Sequence, residues 1–112
     1  MNRRKELQQQ YKQRPVIGGV YCIRNTQTGR CLLQQTTDIA GSKNRLDFAR
    51  ITNDCPMHQL KEDWNTFGAA SFAFEEKEKL EKKAEQTNEE FRKDLQALLE
   101  MWQESPEEPL QY

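Results

Sequence analysis

The feature that most constrains this chain is a change of hydrophobic period at Gly19. From there Val20, Cys22 and Arg24 alternate with Tyr21, Ile23 and Asn25, and a second short run, Cys31-Leu32-Leu33, follows the segment Thr26-Gln27-Thr28-Gly29. Successive side chains of a strand point to opposite faces, so two period-two runs around a turn predict a β-hairpin. Gly29 stands at the end of the loop, where a positive φ suits the twist of paired strands and glycine adopts it without steric cost.

Beyond the hairpin the period becomes helical. Asp38 is placed to cap a helix between Thr37 and Thr52, with Leu46, Phe48 and Ile51 as a modest apolar side. Asn53-Asp54-Cys55-Pro56 is a turn cluster, after which Leu60, Trp64 and Phe67 recur at i, i+4 and i+7 and Gly68 marks the stop of a second helix. Ala70, Phe72 and Phe74 alternate as one face of a short strand that should pair with the hairpin. Residues 75–86 contain one leucine and no apolar stripe, so any helix there is solvent-facing and held by acid–base pairs, outside the main elements. Thr87-Asn88-Glu89-Glu90 is a capping-box arrangement, and Phe91, Leu95, Leu98, Leu99 and Trp102 form the stripe of a final helix packed on the core. The element order is thus β-β-α-α-β-α, an α/β domain of the α+β kind with a small three-stranded antiparallel sheet flanked by helices. Residues 1–15 are expected to form a polar arm or helix, residues 16–104 the domain, and residues 105–112 a flexible tail.

With 112 residues, one hydrophobic core is the natural limit. A hydrophobic fraction of 35% against 31% charged residues means that this core is small. No apolar run reaches the ~20 residues needed to cross a bilayer, and the opening MNRRKELQQQ lacks the apolar stretch of a secretory signal, so the expectation is a cytoplasmic chain without a membrane partner. Cys22, Cys31 and Cys55 match neither a metal knuckle nor a complete disulfide framework and are read as structural thiols. His58 is the only histidine, which removes the material for a His-rich zinc site and for most His-based triads.

The formal charge of −1 conceals two opposite halves. Residues 1–50 carry ten Lys or Arg and three acids, whereas residues 51–112 carry seven and fifteen. Positive charge gathered on one side attracts phosphate backbones even when the molecule is near neutral.

Gly19-Val20-Tyr21, the turn with Asn25-Thr26 and Gly29, then Thr37-Asp38, Arg45 and Trp64-Asn65-x-x-Gly68 together resemble the GIY-YIG nuclease superfamily, over about residues 19–103. The resemblance implies a site in which one tyrosine from each hairpin strand, a helical arginine and a later glutamate surround a divalent metal, Mg or Mn, and a scissile phosphodiester. A metal and a guanidinium would stabilise charge on the phosphate, and a phenol would relay a proton or orient water.

Carried over residue by residue, Tyr21 takes the place of the first tyrosine and Arg45 that of the arginine, the two catalytic candidates. In the second motif Leu32 occupies the tyrosine position and Gln34 the glycine position, and a leucine cannot relay a proton. Pro56 stands where a histidine or tyrosine often follows the first helix. Alignment on Trp102 puts the metal-binding glutamate at Leu99, leaving Glu100, one residue away, as the metal-ligand candidate. Arg24, Arg30, Lys43 and Arg50 are expected to join Arg45 near Tyr21 in a basic groove. The expectation is therefore a GIY-YIG-like domain that binds nucleic acid, taken as DNA, with cleavage weakened or lost, and with a protein partner as a source of specificity. Two other readings stay open: an active metal-dependent endonuclease with a rearranged site, and a non-catalytic protein-interaction module.

Overall fold

A computed structural model describes residues 15–112. The polar arm expected at 1–15 therefore lies, apart from Pro15, outside the described residues. The elements are β1 (Ile17–Asn25), β2 (Cys31–Thr36), α1 (Ile39–Thr52), α2 (Lys61–Phe67), β3 (Phe72–Glu81) and α3 (Asn88–Gln103), with short 3-10 turns at His58–Leu60 and Ala69–Ser71. The order is the expected β-β-α-α-β-α. The sheet runs β2-β1-β3 and both pairings are antiparallel.

Local chemistry builds the hairpin. The Asn25 side-chain oxygen accepts from Gln27 N at 2.9 Å, Gly29 N donates to Asn25 O at 2.8 Å, and Gly29 takes φ 80°. Asp38 caps α1 by accepting from Gly41 N at 3.0 Å, Gly68 ends α2 at φ 88°, and Thr87 caps α3 by accepting from Glu90 N at 3.1 Å.

The central strand β1 is covered on both sides. Tyr21 and Ile23 join Leu32, Phe72, Leu46 and Ala49 of α1, and Leu60 and Trp64 at α2. Val20 and Cys22 join Cys31, Leu33 and Leu99 of α3, with Leu98 and Trp102 against them. Phe91, Leu95 and Leu99 are the buried residues of α3, so its stripe packs as the spacing predicts. All three thiols are free, with Cys22 and Cys31 buried.

Two expectations are overturned. Residues 75–81 are not a solvated helix but the greater part of β3, which pairs with β1 from Asn25↔Phe72 to Ile17↔Glu81. The backbone N–H and C=O groups along that side of β1 need partners, and satisfying them outweighs the helix preference of a Glu/Lys-rich run. The strand also begins at Phe72, later than expected, because Ala69–Ser71 turn as 3-10. The segment expected as a flexible tail is docked: Cys31 N donates to Leu110 O at 2.8 Å and Tyr112 N to Cys31 O at 3.0 Å, a parallel bridge on β2. Glu108, only 6% exposed, anchors it from below.

Candidate functional site

Register decides what surrounds Tyr21. It lies opposite Gln34 of β2 and Glu76 of β3, and directly opposed residues share a face of the sheet. A bulge follows, since Val20 pairs with Glu78 while Tyr21 pairs with Glu76, leaving Lys77 extra. The bulge sends Lys77 and Glu78 both toward α3: Lys77 bonds Glu75 and Glu108, and Trp102 Nε1 donates to Glu78 at 3.0 Å. Glu76 and Lys79 stay on the Tyr21 side, 3.6 Å apart. Gly19 permits this close approach, because a Cβ there would stand 2.0 Å from the Glu78 carbonyl oxygen at φ 151°.

Above the sheet, the first turns of α1 bring in the other groups. Arg45 Nη2 donates to Ser42 Oγ at 2.9 Å, and Ser42 Oγ donates to Thr36 Oγ1 at 2.8 Å, which ties the helix to the end of β2. Tyr21 is 5% exposed and its ring stacks on Phe74 at 4.8 Å. Burial raises its pKa, an effect partly offset by the Ser42 hydroxyl and the Arg45 charge. The phenol and the guanidinium thus lie on the same side of the sheet around Ser42, with the phenol buried and the guanidinium exposed.

The wider basic groove does not assemble around them. Arg24 follows Cys22 on the α3 side of β1, where it bonds Glu75 at 3.0 Å, Glu108 at 2.8 Å and the Gly29 carbonyl at 2.8 Å. Its opposite facing is a consequence of strand alternation. Arg30 stands at the hairpin end, stacked 4.1 Å over the Tyr112 ring and 3.9 Å from Asp63. Lys43 and Arg50 are on α1, but at about 100° per residue they lie roughly 140–160° around the helix from Arg45. Arg50 instead borders an open concavity with Asp47, Ile51 and Ala70. Glu100 is exposed on α3, whose buried Leu95 and Leu99 face the side of the sheet opposite Tyr21. It accepts from Gln96 at 3.2 Å and shares no site with Tyr21.

On the α3 side the charges form a closed cluster. Burial would raise the Glu108 carboxyl, but hydrogen bonds from Lys77, Arg24 and Cys31 outweigh it and hold the group at about 2. Burial and the neighbouring Glu108 push the Cys31 thiol up to about 11, and burial raises Cys22 as well, so both stay protonated and unreactive. Among the described residues no three His, Cys, Asp or Glu side chains come together as a metal-holding group. Among the described residues no helix is long and apolar enough to cross a membrane.

Ser42, Thr36 and Glu76 went unrecognised as members of the site. Ser42 had a signal, the i, i+3 spacing to Arg45 on one helix. Glu76 had none until β3 and its bulge were known. No protein-family model, no curated protein and no solved structure matches the chain.

Proposed function

We propose that this chain is a GIY-YIG-like domain that binds nucleic acid by its backbone phosphate at Arg45, with phosphodiester cleavage weakened or lost. The observation that carries the reading is Arg45 itself: its guanidinium is oriented by Ser42 above Tyr21, is exposed, and has no carboxylate partner among the described residues. A fixed fork of donors without an internal anion is suited to a phosphate. Weak cleavage follows from the neighbours. Leu32, where the resemblance implies a second phenol, is 6% exposed and packed in the core, and Tyr21 is held protonated by burial. Glu76, the carboxylate directly opposite Tyr21, is paired with Lys79.

Fluorescence anisotropy with labelled DNA tests the binding. Affinity should fall steeply as salt rises, and Arg45→Ala should lower it about tenfold at low salt. Absence of binding at low salt would refute the reading. Incubation of supercoiled plasmid with Mg or Mn tests the second half, because metal-dependent nicking that disappears in Arg45→Ala would show the chain to be an active endonuclease.

A further inference from the structure

The outward surface of α1 carries two large apolar side chains in water. Phe48 is 67% and Ile51 83% exposed, although the same helix buries Ile39, Ser42, Leu46 and Ala49 on its inner side. At about 100° per residue, Arg45 flanks this pair on one side and Lys43 and Arg50 flank it on the other. All three cations are exposed and none has a carboxylate partner among the described residues, whereas Arg24, Arg30 and Lys77 are all ion-paired. An aromatic face between free cations is what an unpaired base and its flanking phosphates require.

We infer that α1 is the docking surface for single-stranded or looped nucleic acid, with Phe48 as the platform on which one unpaired base stacks. The inference rests on the phosphate-binding reading and adds the substrate class. Phe48 follows Arg45 by three residues, so their Cβ atoms are about 5–6 Å apart on the helix surface, and a nucleotide held at Arg45 by its phosphate can lay its base on the ring. A duplex keeps its base faces stacked inside and offers only phosphates, so it engages Arg45 but not Phe48. Charge selects the occupant: Asp47 lies between Ile51 and the Lys43 and Arg50 side, but the helix carries three cations against that one acid, and an apolar pair on such a surface suits a polyanion with exposed ring faces.

The test is anisotropy with a labelled oligothymidine and with a labelled duplex, at low salt, for the full chain and for Phe48→Ala, Phe48→Trp and Arg45→Ala. The side chain is exposed, so thermal melting should show every Phe48 variant folded. Phe48→Ala should weaken single-strand binding about tenfold and leave duplex binding unchanged, while Phe48→Trp restores the affinity. Arg45→Ala should weaken both. Single-strand binding that ignores Phe48 overturns the stacking platform and leaves the phosphate site standing. Equal dependence on Phe48 for single strand and duplex overturns the assignment to unpaired bases. Failure of the full chain to bind either substrate overturns the phosphate site together with the platform.

Discussion

The two faces of the sheet use arginine in opposite ways, although the same strand β1 separates them. On the α3 face Arg24 is fully engaged by Glu75, Glu108 and the Gly29 carbonyl, and Lys77 completes a cluster that fastens the C-terminal segment. On the α1 face Arg45 is positioned by a neutral hydroxyl and otherwise turned to solvent. Neutralised charge in a partly buried cluster is architecture, since removing one member strands the others. Charge oriented without an internal anion is free for an external one. The contrast teaches that the basic residues at 24–50 are not one surface: Arg24 and Arg30 are ion-paired, while Lys43, Arg45 and Arg50 of α1 have no carboxylate partner among the described residues.

The largest effect should come from Arg24→Ala, which leaves Glu108 and Glu75 with Lys77 alone and should cost about 3 kcal/mol in urea denaturation, against less than about 0.5 kcal/mol for Arg45→Ala. Equal losses would break the distinction. Next comes pH. The Glu108 carboxyl lies at about 2 when the tail is docked, against 4.5 ordinarily. A carboxyl with a depressed pKa in the docked state contributes its full stabilisation above about 4.5, and that contribution declines as pH falls toward about 2, where it is lost. The contribution is at most roughly 3–4 kcal/mol. Tyr112 ring shifts in NMR spectra should move toward free values across this window, while resonances of α1 stay put; joint movement would unite the two faces into one unit.

A smaller loss, about 1 kcal/mol, is expected for Tyr112→Phe, which removes the hydroxyl that donates to Asp63 at 2.7 Å and accepts from Asn25 at 3.1 Å. Its DNA affinity should match that of the unaltered chain, and a change in affinity would sharpen the comparison by linking the tail to the α1 surface. Smallest should be Glu76→Gln, an exposed residue paired only with Lys79, whose stability should stay within about 0.5 kcal/mol by thermal melting.

Legibility in the sequence followed the range of the interactions involved. The hairpin turn, the Asp38 and Thr87 caps and the α3 stripe rest on residues within a few positions of one another, and each is where the spacing put it. Glu75 to Glu81 misled because a run of Glu and Lys has a helical preference by itself, and only β1 at its side makes it a strand. The tail misled for a similar reason, since nothing near Glu108 in the chain reveals Arg24 and Lys77 waiting for its carboxylate.

What the amino-acid sequence determined alone was the set of elements, their order, and which residues of α3 and β1 are apolar enough to be buried, because period and capping act over one or two turns. What only the tertiary structure decided was facing: that Arg24 and Glu100 belong to the α3 side, that Glu76 rather than Glu78 accompanies Tyr21, and that Arg45 remains unneutralised. Facing depends on strand register and on one extra residue at Lys77, and a shift of one residue turns each later side chain to the other side of the sheet.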